Sequence, residues 1–141
     1  MACSIFLDVN IIVDFFLEDR AGHEDAVQII SAAEKRTINI CLSESVINTT
    51  VYLTRKSVTA DIFKQGLNEM LLFGRVLPCN NSIIRQAYSI AKNDLEDAVL
   101  YQLAMHHRLD YFVTSDVKDF KKIQHPLLPV VTAKKMVELI K

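Results

Sequence analysis

Ser4-Ile5-Phe6-Leu7-Asp8-Val9-Asn10 is the stretch on which the reading of the fold turns. Ser4–Leu7 is short and mostly apolar, as expected of a buried strand. Its carboxyl end delivers Asp8 and then Asn10, and a second apolar run opens at Ile11. In open α/β sheets, chemistry gathers at the carboxyl tips of the strands. An acid at the tip of a first, buried strand therefore asks for partners at the tips of the others.

Strand-like and helix-like segments alternate along the rest of the chain. Ile11–Leu17 reads as a short buried helix, and Glu18–Gly22 as a polar loop. His23–Lys35 carries Ala26, Val27, Ile30 and Ala33 at helical spacing. Ile38–Leu42 reads as a strand, after which Ser43 is expected to cap a helix from Glu44 to about Arg55. Thr59 caps the next helix, with Phe63, Leu67, Met70 and Leu71 on one face. Gly74 is expected to end that helix and Arg75–Cys79 to form a strand. Asn81 or Ser82 caps a helix bearing Ile83, Ala87, Ile90 and Ala91. Asn93 and Asp94 break this run before a helix with Leu100, Leu103, Ala104 and His107 on one face. Tyr111–Thr114 and Leu128–Val131 read as strands, and Ala133, Met136, Val137 and Ile140 mark a closing amphipathic helix. Such alternation predicts an α/β fold with a central parallel sheet covered by helices on both faces.

The 141 residues suit a single domain over 1–141. Half are apolar, and Gly and Pro number only 3 each, which argues against disorder and against a turn-rich β-sandwich. A formal charge of −1 excludes binding through a strong basic field, but not contact with phosphates through a metal. The cysteines, Cys3, Cys41 and Cys79, are odd in number and widely spaced, so they read as reduced, buried thiols of a cytoplasmic protein. Asp8, Asp14 and Glu18 interrupt the early apolar residues, so neither a signal peptide nor a membrane span is expected.

In this arrangement Asp8, Glu44 and Asp116 all follow strands, and Asp94, Glu96 and Asp97 stand at the start of a helix. A parallel sheet brings its strand ends to one edge, and carboxylates gathered there repel one another unless a cation sits among them. No Lys or Arg is placed among these acids to neutralise them; Lys118 is the nearest, and it precedes Asp119 rather than facing it. Hard oxygen donors without His or Cys suit Mg²⁺ or Mn²⁺. Such an ion can activate water against a phosphodiester. Acids at helix starts also cap helices, and Asp94 with Asp97 has the spacing of a capping box. Glu96 points about 100° away from Asp97 around the helix, which makes it hard for both to hold one ion.

The motifs LDVN (Leu7–Asn10), SES (Ser43–Ser45), DLEDAV (Asp94–Val99) and TSDVKDF (Thr114–Phe120) resemble, in that order, those of the PIN domain family. The likeness is strongest to the small prokaryotic members, many of them VapC-type toxins of toxin–antitoxin pairs. The resemblance spans essentially the whole chain. It implies a three-layer α/β/α fold and Mg²⁺- or Mn²⁺-dependent endoribonuclease activity. It maps the catalytic acids onto Asp8, Glu44, Asp97 and Asp116, with Asp8, Asp97 and Asp116 as metal ligands. Asn10 and Thr114 or Ser115 match polar positions that steady the acids. Asp119 matches an accessory acid or a structural cap. The family also implies an RNA substrate, a homodimer and an antitoxin partner.

The chain departs from the family in carrying Val9 where Thr or Ser is frequent, and in lacking an obvious basic run for RNA. Lys118, Lys121 and Lys122 either hold phosphates or form an ordinary solvated face. His106 and His107 lie at the far end of the helix from Asp97, which favours surface roles for them. An aspartyl phosphatase of the haloacid dehalogenase type would need an acid where Asn10 stands. A receiver domain would need paired acids near the first strand, and that pairing is missing. Gly22, Gly66 and Gly74 form no dinucleotide-binding motif. The remaining alternative is a non-catalytic PIN-like module that binds RNA or protein.

Overall fold

A computed structural model describes residues 2–141. Strand β1 (Cys3–Leu7) leads into helices α1 (Val9–Phe16) and α2 (His23–Glu34). Strand β2 (Ile38–Leu42) is followed by α3 (Glu44–Thr54) and α4 (Ala60–Met70), and β3 (Gly74–Val76) by α5 (Asn81–Ile90) and α6 (Leu95–His106). Strand β4 (Tyr111–Val113), a single 3₁₀ turn (Val117–Phe120), β5 (Val130–Val131) and α7 (Ala133–Ile140) complete the chain.

The five strands form one all-parallel sheet in the order β3-β2-β1-β4-β5. Successive crossovers run outward from β1 to β3, and the next returns across the sheet to β4. Right-handed crossovers then put α1–α4 on one face and α5–α6 on the other. The packing agrees: α1 meets α2 and α3, α7 returns to α2, and α5 pairs with α6. The direction of winding reverses between β1 and β4. That reversal opens a crevice at the carboxyl ends of these two strands.

The carboxyl halves of the central strands β1 and β4 are fully buried, as expected of a sheet covered on both sides, while the edge strand β3 is largely exposed. Ile5, Phe6 and Leu7 are inaccessible to solvent, as are Phe112 and Val113. Phe6 stacks on Phe112 with ring centroids 5.1 Å apart, and Tyr101 of α6 and Phe120 of the 3₁₀ turn close over Phe112. Each such ring contributes about 1.5–3 kcal/mol relative to an exposed one. The Tyr101 hydroxyl donates to the Leu128 carbonyl at 2.6 Å and accepts from the His125 amide at 2.8 Å, so its polar end is satisfied.

Several local expectations give way to tertiary context. The first helix begins at Val9 rather than Ile11, because Asp8 itself caps it, its Oδ1 accepting from the Val9 amide at 2.8 Å. Gly74 opens β3 instead of only ending α4. A Cβ there would lie 3.0 Å from the Met70 carbonyl oxygen and 3.1 Å from Ile40 Cγ1, so this strand start needs a residue without a side chain. Strand β3 stops at Val76, and Asn80, not Asn81 or Ser82, caps α5 by accepting from the Ile83 amide. Thr114 lies just past the end of β4, and the last strand shortens to Val130–Val131. The 3₁₀ turn was not anticipated. Of the three free thiols only Cys41 is buried; Cys3 is half-buried and Cys79 exposed, because β3 ends before reaching it.

Candidate functional site

Strand register builds the site. On β1 and β4, Leu7 pairs with Val113, so the next residues, Asp8 and Thr114, stand level just beyond the sheet. Asp8 is only 6 % exposed, which is costly for a carboxylate unless its oxygens are bonded. The fully buried Thr114 hydroxyl donates to Asp8 Oδ2 at 2.8 Å, and its oxygen accepts from the Asp116 amide at 3.1 Å. Asn10, in the first turn of α1, donates from Nδ2 to Asp116 Oδ2 at 2.8 Å. Thus Asn10 and Thr114 tie Asp8 and Asp116 into one network across 106 residues of sequence.

Asp97 enters from α6, at the end of the crossover that spans the sheet. Burial pushes its carboxyl up to about 6, followed by the charges of Asp8, Asp94, Asp119 and Glu96. Burial also raises Asp8. The Thr114 hydroxyl and the Val9 amide oppose that rise, while Asp116 and Glu96 add to it. These mutual effects bring Asp8, Asp97 and Asp116 into one electrostatic field with Glu96, Asp94 and Asp119. Among the described residues the ion pairs lie elsewhere, at Arg20–Asp14, Lys64–Asp61 and Lys135–Glu138. The field is therefore negative and uncompensated.

The other expected residues are placed as follows. Glu44 stands exposed in the first turn of α3, capped by Ser43. It lines a neighbouring cleft with Ser45 and Asn48. Ser115 is exposed beside the network. Asp94 occupies the position before α6, but its side chain makes no capping bond. Its backbone (φ −89°, ψ 73°) lies outside the extended geometry that swings a capping oxygen over the helix start. Asp94 instead faces a small cavity of about 70 Å³, shared with Asp119, Lys92 and Lys122. Lys118 and Lys121 are exposed nearby in sequence. His107 engages the Pro78 carbonyl at 3.1 Å, away from the acids. Lys92 escapes the sequence reading, which offers no signal for it, whereas Glu96 is weighed there and set aside because it points about 100° away from Asp97.

The donor set, carboxylates with a hydroxyl and an amide behind them, has the chemistry of a hard divalent-cation site. Among the described residues no three acids already converge closely enough to clasp an ion. The fit therefore rests on donor type and uncompensated charge.

A family model for the PIN domain matches residues 5–126. The chain belongs to the PIN domain family. Ribonuclease VapC1 of Aquifex aeolicus (strain VF5) is 25% identical over 139 residues, covering 95% of this chain and 93% of that protein. The crystal structure of VapBC2 from Rickettsia felis, bound to a DNA fragment from their promoter, aligns with a TM-score of 0.65 at 17% identity. That match covers 92% of this chain and 98% of the other. A toxin–antitoxin complex from Klebsiella pneumoniae aligns with a TM-score of 0.62 at 22% identity, over 88% and 94% of the two chains. This PIN domain shares with these structures the fold that sets its acids at the winding reversal.

Proposed function

We propose that this PIN domain is a divalent-metal-dependent endoribonuclease of the VapC type, the toxin of a toxin–antitoxin pair. The observation that carries the proposal is the uncompensated negative field shared by Asp8, Asp97 and Asp116 at the carboxyl ends of β1 and β4. The ribonuclease relative, matched along nearly the whole chain, supports the reaction type.

In this reading Asp8, Asp97 and Asp116 hold Mg²⁺ or Mn²⁺, with Glu44 as a further catalytic acid. Held by these residues, such an ion would supply Lewis-acid chemistry toward a phosphodiester and its attacking water. The chain supplies the positioning. Thr114 fixes the rotamer of Asp8 through Oδ2, and the Val9 amide fixes the other oxygen. Asn10 does the same for Asp116. Asp97 is the acid whose charge the cluster tolerates least, so its proton is the one most sensitive to a counter-charge. Asp119 and Asp94 deepen the field from the rim. Lys118, Lys121 and Lys122, joined by Lys92, supply phosphate contacts, so RNA is held locally rather than by a global basic field.

The protein acts as a cytoplasmic homodimer, for which exposed Tyr52 and Leu53 on α3 and Tyr88 on α5 offer apolar surface. An antitoxin segment covers the acid edge. The test is cleavage of RNA by purified protein with Mg²⁺ or Mn²⁺, abolished by EDTA and by Asp8→Asn or Asp97→Asn in folded protein. Wild-type rates in both variants would refute the site. An inactive wild type that binds RNA or a protein partner would favour a non-catalytic module.

A further inference from the structure

Towards the amino ends of β2 and β3 lies a polar groove of about 370 Å³. Cys41 of β2 stands level with Phe6, whose ring stacks on Phe112 beneath Tyr101 of α6, and Asn39 shares that face of β2. Asn39 is exposed between the buried Ile38 and Ile40, so the helix layer stops short of it. Ser4 stands level with Asn39 and also lines the groove. Two arginines join them, Arg36 from the turn before β2 and Arg75 from the edge strand β3. Arg75 stands level with Cys41 and its charge acts on that residue: burial raises the Cys41 thiol, and Arg75 opposes the rise. Both arginines are exposed, and among the described residues neither belongs to an ion pair. Asp110, at the same end of the sheet, is engaged by β1, its Oδ2 accepting from the Ser4 amide at 2.8 Å.

We propose that this groove holds one backbone phosphate of the RNA strand, between the Arg36 and Arg75 guanidinium groups and beside the Asn39 amide. The identity of that strand rests on the ribonuclease reading. Guanidinium forks bond phosphate oxygens in pairs, and two of them without acidic partners leave room for an anion. Position in the fold favours the polymer over a free anion. Val76, the residue after Arg75 on β3, lines the cleft that contains Glu44. In the continued register Asp8 stands level with Ser43, while Arg75 is two strands away and level with Cys41. With strands about 4.8 Å apart and a rise of about 3.3 Å per residue, the Asp8 and Arg75 backbones lie roughly 12 Å apart. A strand cut at the acids and running past Glu44 and Val76 therefore brings a phosphate a few nucleotides away to the arginines.

The backbone at Arg36 makes the role of its side chain separable from folding. Arg36 closes α2 at φ 65°, its amide bonding the Ala33 carbonyl and the Thr37 amide bonding that of Ala32. Glycine is the residue best suited to this position. Arg108 closes α6 in the same way at φ 57°, outside the lining of the groove. Glycine at either site removes one charge and relieves the same strain, so only position separates the two.

Two measurements test this. The first follows the arginine Nε–H and Asn39 side-chain amide signals by NMR while wild-type protein in EDTA is titrated with inorganic phosphate and with a uridine hexanucleotide. Both should shift Arg36, Arg75 and Asn39 but not Arg108, the hexamer at lower concentration. No shift with either, or an equal shift at Arg108, overturns the site. A hexamer that acts no better than phosphate makes this a free-anion site and overturns the RNA assignment. The second measures affinity for labelled single-stranded RNAs in EDTA across salt concentrations. Arg36→Gly should weaken binding at least about fivefold, equally for RNAs of different sequence, with a Tm at or above that of wild type. Arg75→Gln should weaken it likewise. The double variant should lower the slope of log K against log salt by about 0.7, the share of one phosphate on a single strand. Arg108→Gly should leave affinity and slope unchanged. Equal losses in Arg36→Gly and Arg108→Gly, or an unchanged slope in the double variant, overturn the proposal. Neither measurement needs metal or turnover, so a protein that cuts no RNA defeats the ribonuclease reading while these results still decide the groove.

Discussion

Asp97→Asn should stabilise the metal-free protein while removing its activity, and the stabilisation should depend on pH. Asp97 is pushed up to about 6, first by burial and then by Asp8, Asp94, Asp119 and Glu96. An ordinary aspartate ionises near 3.9, so a fully buried group with this displacement would lose about 3 kcal/mol on ionising. Asp97 is only half-buried, and screening reduces this to about 1–1.5 kcal/mol. Its folded pKa lies above its unfolded one, so the folded state binds the proton more tightly. Stability is full below about pH 4, falls as pH rises towards about 6, and stays low above that. Asparagine carries no charge to desolvate or repel. The variant should therefore melt about 3–5 °C above wild type at pH 7.5 in EDTA, given an unfolding entropy of about 0.3 kcal/mol/K for this length. The gain should vanish by about pH 4. Thermal melts from pH 4 to pH 8 check this, alongside an RNA cleavage assay with Mn²⁺. Mn²⁺ should raise the wild-type Tm more than that of the variant. A variant less stable than wild type at pH 7.5, or a difference independent of pH, would refute the repulsive-cluster argument.

Thr114→Val keeps shape but leaves Asp8 Oδ2 and the Asp116 amide without their buried partner. It should cost about 1.5–3 kcal/mol, read as a lowered denaturant midpoint, and raise the pKa of Asp8 further, read by carboxyl NMR titration. Asn10→Ala removes the donor to Asp116 on an exposed bond, so stability should change by less than about 0.5 kcal/mol. Its metal affinity, measured by Mn²⁺ titration, should fall about 10- to 100-fold. Gly66→Ala should destabilise by about 1–2 kcal/mol despite the better helix propensity of alanine. Its Cβ would meet the Phe16 ring at 2.7 Å, and that ring is held by stacking on Phe63 at 4.6 Å. An unchanged or raised Tm would show that Phe16 can swing clear.

Local chemistry made much of this molecule legible from its residues. The buried strands Cys3–Leu7 and Ile38–Leu42 announce themselves as apolar runs, and Ser43 and Thr59 cap α3 and α4 because a hydroxyl placed there satisfies an otherwise open amide. The alternation of strand and helix specifies a parallel sheet, and with it a common edge for Asp8, Glu44 and Asp116. The shared motifs point to the PIN family, which the family match over residues 5–126 bears out. What the chain order could not specify is which strands lie side by side. That is settled by non-local packing such as the stacking of Phe6 on Phe112. Only with β4 against β1 does the Thr114 hydroxyl reach Asp8, and only then does Asn10 find Asp116. Glu96 was set aside because of its angle on an isolated helix. The packed structure nevertheless brings its charge to bear on Asp8, since Coulomb effects extend beyond the reach of direct bonds. Sequence periodicity records which residues face inward along each element. The meeting of elements distant in sequence, and hence the cluster of acids and the cleft beside it, is a property of the packed structure alone.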